Sequence, residues 1–143
     1  MKEKRIIGYT TGVFDLFHVG HVNILKKAKE NCDELIVGVT TDKLVSYKHK
    51  KSVIPFKERI EIIKSIKYVD KVVSQENMNK MDAWKKYRFN RIFVGDDWKN
   101  TKKWNDFEIE FSKVGVEIIY FPYTNGTSST LINETLLKLR TIK

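Results

Sequence analysis

Residues 6–21 read IIGYTTGVFDLFHVGH, and this stretch decides the fold of the chain. Residues 6–9 are largely apolar or aromatic, and a short run of this kind predicts a buried strand. The apolar residues of 22–28 recur at helical spacing, which predicts a helix packed on a sheet. The intervening residues 10–21 therefore lead from the end of a strand into the start of a helix.

The same alternation of strand and helix continues along the rest of the chain. Runs rich in β-branched or aromatic residues predict further strands at 35–39, 69–73, 91–94 and 116–121. Helical spacing recurs between and after them, at 60–66, 84–87, 107–111 and 131–139. This pattern predicts an α/β protein, namely a single-domain Rossmann-like fold with a parallel five-stranded sheet and helices on both faces.

No internal repeat or linker interrupts the chain, so residues 1–143 are predicted to form one domain. The longest irregular stretch is predicted from about Thr41 to Pro55, and loops of that length are often lids or binding loops. Parallel sheets bind ligands at the carboxyl ends of their strands, near the switch in strand order. The loops that follow the strands are therefore the expected place for chemistry.

The charge of the chain narrows the class of partner. Its 143 residues include 27 Lys plus Arg and 18 Asp plus Glu, a formal charge of +9. Such a charge attracts polyanions, which include nucleic acids, acidic membranes and phosphorylated small molecules. Residues 43–59 hold six basic side chains and one acidic side chain, so their net charge of +5 exceeds half of the total.

The remaining composition predicts a folded cytoplasmic protein. Hydrophobic residues make up 41% of the chain, which is enough to offset the entropy of folding and excludes disorder for most of it. Cys32 is the single cysteine, so an internal disulfide is excluded. The N-terminus lacks the apolar run of a signal peptide, and no membrane span is predicted.

Two histidines stand where the first predicted helix begins. Gly12 permits a turn after the strand, and Gly20 lets a ligand approach the helix N-terminus, whose dipole favours an anion. His18 and His21 are three positions apart, so both could reach the same phosphate group and donate hydrogen bonds to its oxygens. Helix capping is the alternative role for either histidine. Zinc ligation is disfavoured because no cysteine or third histidine lies at ligand spacing.

Four blocks of sequence carry a family resemblance. Residues 12–21 resemble the G-x-F-D-x-x-H-x-G-H signature of the cytidylyltransferase family, within the nucleotidyltransferase superfamily that has the H-x-G-H motif. Residues 68–72, 94–98 and 126–130 resemble further blocks in the same order. The chain most resembles the bacterial glycerol-3-phosphate cytidylyltransferases. Walker A and dinucleotide fingerprints are both missing from the sequence.

The resemblance implies a CTP-dependent nucleotidyltransferase. Such an enzyme transfers CMP from CTP to a phosphorylated small alcohol, releases pyrophosphate and makes a CDP-activated product for a surface polysaccharide or lipid. The resemblance also implies that Mg²⁺ is held by the phosphates of CTP rather than by protein ligands. It further implies a homodimer with neither nucleic-acid nor membrane partners. The alternatives are another acceptor (phosphocholine, phosphoethanolamine or a phosphorylated amino-acid derivative such as phosphoglutamine) or ATP as donor. A non-catalytic nucleic-acid-binding module is a third hypothesis, disfavoured because no nucleic-acid-binding motif is present.

The resemblance also implies roles for particular residues. His18, His21 and Lys50 are implied to be catalytic and to bind the nucleotide. Lys48, Asp15 and Arg59 are implied to bind the acceptor. The other implied nucleotide-binding residues lie in the loops and turns between predicted elements: Thr11, Gly12, Val13, Phe14, Lys67, Asp97, Tyr123, Thr124, Gly126, Thr127, Ser128, Ser129 and Thr130.

The chain departs from the family pattern at two positions. Lys67 and Tyr123 stand where the family carries arginines that help to bind the triphosphate. Lysine keeps the charge but loses the two-pronged hydrogen bonding of a guanidinium, whereas tyrosine keeps neither. These replacements are expected to affect nucleotide affinity.

Overall fold

A computed structural model describes residues 5–47, 51–122 and 129–141. The strands are β1 (Ile7–Gly12), β2 (Glu34–Thr40), β3 (Lys71–Gln75), β4 (Arg91–Gly95) and β5 (Glu117–Phe121). The α-helices are α1 (Val19–Glu30), α2 (Asp42–Tyr47), α3 (Phe56–Lys64), α4 (Lys80–Tyr87), α5 (Lys102–Ser112) and α6 (Ser129–Thr141). A short 3-10 helix, Asp96–Trp98, follows β4 directly.

The five strands form one parallel sheet in the order β3-β2-β1-β4-β5. From β1 the chain builds outward through β2 and β3, and then returns to place β4 on the other side of β1. This order confirms the predicted Rossmann-like fold. It also puts the switch in strand order between the carboxyl ends of β1 and β4, which is the usual ligand crevice of such sheets.

Apolar side chains alternate between the two faces of the sheet, and each face is covered by helices. On β2, Leu35, Val37 and Val39 pack in one cluster with Leu25 of α1 and Ile63 of α3. Ile36 points the other way, into a second cluster with Trp104, Phe107 and Phe111 of α5. The predicted helices on both faces are therefore confirmed. Continuous apolar strands follow from burial on both sides.

The stretch from Thr41 to Pro55, predicted to be irregular, contains the helix α2. The Thr41 hydroxyl accepts a hydrogen bond from the backbone N–H of Leu44 at 3.2 Å, and Val45 is 4% exposed. A helix of six residues shows too few apolar repeats to be read from periodicity, and distant contacts hold it, including the hydrogen bonds that the Asp42 carboxylate accepts from Ser52, Phe56 and Arg59. Within the described ranges, no helix is both long and apolar enough to cross a membrane.

Candidate active site

A cavity of about 890 Å³ opens at the edge of the sheet where the strands end. The last residue of every strand lines it: Gly12, Thr40, Gln75, Gly95 and Phe121. The loop after β1 and the start of α1 also contribute lining residues. The cavity thus coincides with the switch in strand order, where the sequence pattern predicts the functional site.

His18 and His21 form a reciprocal cap at the start of α1. The backbone N–H of Gly20 donates to Nδ1 of His18 at 3.0 Å, and the backbone N–H of His18 donates to Nδ1 of His21 at 3.2 Å. The two ring centroids are 4.0 Å apart, and both side chains line the cavity. Because each Nδ1 accepts a hydrogen bond, each neutral ring carries its proton on Nε2. Capping and a functional role are therefore compatible, since they use different ring nitrogens.

Burial keeps both histidines uncharged at neutral pH. Burial lowers the pKa of His18 below its ordinary value of 6.5. For His21, burial and the neighbouring His18 lower the pKa to about 4, while Asp15 acts in the opposite direction. The His21 ring stacks on Phe17 with centroids 5.2 Å apart and meets the edge of Phe14 at 5.5 Å. The site therefore holds two neutral Nε2–H donors in fixed positions.

The shifted pKa of His21 predicts a loss of stability in mild acid. Unfolded histidine binds a proton near pH 6.5, but folded His21 does so only near pH 4, so between these values protonation favours the unfolded chain. With its partial exposure discounted, this group is expected to lower the free energy of unfolding by about 1 kcal/mol, or the Tm by about 3 °C, between pH 7 and pH 5.

Thermal unfolding at pH 7, 6 and 5 and constant ionic strength measures this effect. His21→Asn is the matched variant, because the asparagine carbonyl can replace Nδ1 as the acceptor for the His18 N–H but does not titrate. Its Tm should fall less than that of the parent chain. An equal fall in both proteins would contradict a depressed His21 pKa.

The loop between β1 and α1 has an unusual backbone. Phe14 and Leu16 adopt left-handed conformations, with φ of 54° and 49°. Neither residue is glycine, so each conformation costs free energy that surrounding contacts must offset. Gly12 is required beside them, because a Cβ there would come within 3.0 Å of the Phe14 ring.

The structure brings together most of the predicted nucleotide-binding residues that it describes. Thr11, Gly12, Val13, Phe14 and Asp97 line the same cavity as the two histidines. Ser129 and Thr130 begin α6. The remaining predicted residues of the segment after α2 and of the segment before α6 lie outside the described residues: Lys48, Lys50, Tyr123, Thr124, Gly126, Thr127 and Ser128.

Lys67 lies far from the cavity, contrary to its predicted contact with the nucleotide. It precedes β3, at the edge where the strands begin, and its Nζ lies over the Tyr68 ring at 5.2 Å from the centroid. Asp70, close by, donates its backbone N–H to the carbonyl of Leu35 at the start of β2. A five-residue strand spans about 17 Å, so Lys67 cannot reach a nucleotide in the cavity of its own chain.

Asp15 and Arg59 bind the protein itself rather than presenting free groups for an acceptor. Asp15 lines the cavity, but its carboxylate accepts hydrogen bonds from the backbone N–H groups of Leu16, Val53 and Ile54. Arg59 is 0% exposed, and its guanidinium donates to backbone carbonyls and to Asp42. The predicted acceptor contact of Arg59 is therefore replaced by contacts inside the protein.

Lys80 is a buried lining residue that the sequence did not predict. It is the first residue of α4 and only 5% exposed, and its Nζ donates to the Thr11 hydroxyl at 2.7 Å. Asn79 caps this helix, because its Oδ1 accepts hydrogen bonds from the backbone N–H groups of Met81 and Asp82. The loop after β3 is one of the expected places for functional residues, because it follows a strand. A single lysine among 27 basic residues, however, carries no local signal of burial.

Asp97 is a described carboxylate that could meet a metal ion carried by a substrate. Within them, no group of three or more His, Cys, Asp or Glu side chains is arranged to hold a metal ion. Asp97 supplies a carboxylate to the cavity wall, whereas the Asp15 oxygens already accept backbone N–H groups. Mg²⁺ commonly binds through one or two carboxylates together with substrate phosphates. A magnesium ion carried by a triphosphate fits this donor set.

A family model described as cytidylyltransferase-like matches residues 9–135. The chain belongs to the cytidylyltransferase-like family. Because its homologues are named cytidylyltransferases, it is a nucleotidyltransferase enzyme. The matched range contains the whole described cavity wall of this family member, including the histidine pair, Lys80 and Asp97.

The relatives of this chain carry the names of different enzymes, and a solved structure shares its fold. The glycerol-3-phosphate cytidylyltransferase of Staphylococcus aureus is 37% identical over 134 residues, covering 93% of this chain and 95% of the relative. The FAD synthase of Thermococcus sibiricus is 37% identical over 124 residues, covering 85% and 84%. The crystal structure of the lipopolysaccharide core biosynthesis protein from Thermoplasma volcanium has a TM-score of 0.72 and 25% identity, covering 87% of this chain and all of that one.

Proposed function

We propose that this enzyme transfers CMP from CTP to a phosphorylated small alcohol of the glycerol-3-phosphate kind, releasing pyrophosphate and forming a CDP-activated alcohol. The observation that carries this proposal is the histidine pair at the start of α1, whose Nδ1 atoms are both held by the backbone and whose side chains line a cavity at the switch in strand order. The Staphylococcus aureus relative supports the choice of acceptor, because it covers nearly the whole chain.

The proposed reaction is an in-line displacement at the α-phosphorus of CTP. A phosphate oxygen of the acceptor supplies the electron pair for the new P–O bond. The bond to the bridging oxygen of the β-phosphate breaks, and its electron pair leaves with pyrophosphate. Because the acceptor phosphate is already an anion, no base has to remove a proton. The protein's contribution is then positioning and stabilisation of charge.

His18 and His21 are proposed to stabilise that charge. Their Nε2–H groups donate to phosphate oxygens on which negative charge grows, and their Nδ1 atoms are held by the backbone, so little reorganisation is needed. The positive end of the α1 dipole lies at the same place. Neutral rings suit this role, because their hydrogen bonds strengthen as the charge on the phosphate oxygens develops.

Lysines are proposed to draw the two anionic substrates together. Lys51, Lys80 and Lys103 line the cavity within the described part of the chain. Of these, Lys80 is the buried one, and the low local dielectric strengthens its attraction for a phosphate. Lys48 and Lys50 remain predicted contacts for the acceptor and the triphosphate. Mg²⁺ held by the triphosphate would neutralise part of its charge, and Asp97 is the carboxylate placed to meet it.

Pyrophosphate release tests the proposal directly. The chain is incubated with CTP and Mg²⁺ and, in separate reactions, glycerol-3-phosphate, phosphocholine, phosphoethanolamine or phosphoglutamine. Release with glycerol-3-phosphate, together with a CDP-linked product detected by mass spectrometry, is the expected result. A sample shown by circular dichroism to be folded, but releasing no pyrophosphate with any acceptor, would rule the proposal out. Light scattering on the same sample tests the predicted homodimer.

ATP as the donor is the alternative that the same assay decides. The FAD synthase of Thermococcus sibiricus is as identical to this chain as the cytidylyltransferase is, and its named product contains an adenine nucleotide. CTP is expected to raise the Tm more than ATP at equal concentration, because only the preferred nucleotide binds the folded state strongly. Pyrophosphate release with ATP and FMN, but not with CTP and glycerol-3-phosphate, would favour the alternative.

A further inference from the structure

Arg59 joins three separate pieces of backbone beneath the cavity. Its Nη1 donates to the carbonyl of Val13 at 2.8 Å and to the carbonyl of Thr40 at 2.7 Å. Its Nε donates to the carbonyl of Ile54 at 2.8 Å, and Asp42 accepts from its Nη2 at 2.6 Å. The side chain therefore ties the loop after β1 to the end of β2 and to the segment that precedes α3.

Asp15 completes this set of contacts from the opposite side. Its Oδ2 accepts from the Val53 N–H at 2.7 Å, and its Oδ1 accepts from the Ile54 N–H at 2.9 Å and from the Leu16 N–H at 3.1 Å. Ile54 is thus held at both of its polar backbone atoms, by Asp15 at the N–H and by Arg59 at the carbonyl. Asp15 and Arg59 therefore both contact the segment before α3, and both contact the loop after β1.

The loop that they hold needs external support. Phe14 and Leu16 are both left-handed, which costs about 1–2 kcal/mol for each residue that is not glycine. Such conformations persist where the surroundings restrain them from several directions. Arg59 holds the residue before Phe14, and Asp15 lies between the two strained residues.

The same loop determines where the histidine rings lie. It leads directly into His18, which caps α1, and the rings of Phe14 and Phe17 pack against His21. A relaxed loop would move these aromatic rings and the helix cap together. A displacement of about 1 Å in a catalytic group can cost a factor of about 100 in rate.

We infer that Arg59 and Asp15 are positioning residues, which hold the strained loop from Val13 to Leu16 and thereby place the Nε2–H groups of the histidine pair. This inference rests on the proposed function only for its kinetic readout. It differs from the role implied by the family resemblance, in which both side chains bind the acceptor. The two roles predict different consequences for kcat and KM.

Arg59→Lys separates geometry from charge, because lysine keeps the positive charge but cannot reach all three carbonyls at once. We expect kcat to fall by about 100-fold, with KM for CTP and for glycerol-3-phosphate within about 3-fold of the parent. In an NMR titration the midpoint of His21 should rise towards its ordinary value, because the rings that bury it have moved. This readout does not depend on any activity.

Arg91→Lys is the matched control. Arg91 also donates to a backbone carbonyl, that of Asn31 at 2.8 Å, but it begins β4 and therefore lies at the opposite edge of the sheet. Its replacement should leave the His21 titration and the kcat unchanged. Asp15→Asn is the second test variant, because it removes one of the carboxylate's acceptors with little change in volume, and it should show the same fall in kcat with little change in KM. The His21 midpoint is read in Arg59→Lys alone, because the charge of Asp15 itself raises the pKa of His21.

Four outcomes would overturn the inference. A large rise in the KM for glycerol-3-phosphate with unchanged kcat would make these residues substrate ligands. An unchanged His21 titration in folded Arg59→Lys would show that the loop does not place the rings. Full activity in Arg59→Lys would show that charge alone is needed. Failure of both Arg59→Lys and Asp15→Asn to fold would make the residues purely structural. Absence of CMP transfer in the parent chain would refute the proposed function, while the titration would still decide this inference.

Discussion

His18→Asn is expected to lower kcat/KM for CTP by about 100- to 1,000-fold, the usual cost of removing one donor that stabilises transition-state charge. The fold should be retained. The asparagine carbonyl can accept the Gly20 N–H that now donates to Nδ1 of His18 at 3.0 Å, and asparagine is among the best residues for a helix cap. What the variant lacks is the Nε2–H. Steady-state kinetics and thermal unfolding of the same preparation measure the two effects.

His18→Gln provides the complementary comparison. Its amide nitrogen lies nearer to the position of Nε2, so part of the donor function is retained, whereas its carbonyl is poorly placed to cap α1. We expect the glutamine variant to be more active and less stable than the asparagine variant, with a cap loss of about 1 kcal/mol. An asparagine variant within 10-fold of the parent kcat/KM would show that the Nε2–H of His18 is not used in the reaction.

Lys80→Met is expected to lower kcat/KM by about 100-fold, because a buried ammonium close to a phosphate contributes a few kcal/mol of attraction. The fold should be retained, because methionine fills much of the same volume. Thermal unfolding of the same preparation measures any effect on stability, since the variant also removes the hydrogen bond to the Thr11 hydroxyl. A large loss of kcat/KM with a small fall in Tm distinguishes a residue kept for binding from one kept for stability.

Lys86→Met on the same helix is the control for the loss of one positive charge. Lys86 is exposed and does not line the cavity, so its replacement should change kcat/KM by less than about 2-fold at equal ionic strength. If Lys80→Met keeps a kcat/KM within about 3-fold of the parent, the ammonium has no part in binding the substrates. If Lys80→Met also lowers the Tm strongly, the bond to Thr11 is mainly structural.

Local patterns were enough to predict the five strands, the longer helices and the histidine pair. Most strands are short runs rich in apolar residues, and the alternation of strand and helix allows few arrangements other than a parallel sheet. The pairing of His18 and His21 could also be predicted, because residues three apart at a helix start lie on the same side of the helix regardless of tertiary contacts. Their reciprocal capping needed the structure, which shows the backbone N–H that donates to each Nδ1.

Contacts between residues that are far apart in the sequence could not be predicted from local patterns. Lys80 meets Thr11 across 69 positions, and Arg59 meets Val13 across 46. Lys67 is predicted at the nucleotide because of its place in a family block, yet it precedes β3 and therefore lies away from the cavity of its own chain. The short helix α2 was also not predicted, since it is held by contacts with distant residues, such as Arg59 on Asp42, rather than marked by a repeating pattern.

The fold class, the cytidylyltransferase resemblance and the loop with the histidine pair can be predicted from the sequence, because they follow from periodicity and from residues close together in the chain. Which charges face the cavity, and which are used to hold it in shape, depends on the tertiary structure. The strand order brings the ends of β1, β2 and β3 together, so Lys80 enters the cavity while Arg59 is buried beneath it. Burial depends on neighbours that are distant in sequence, and no local pattern records them.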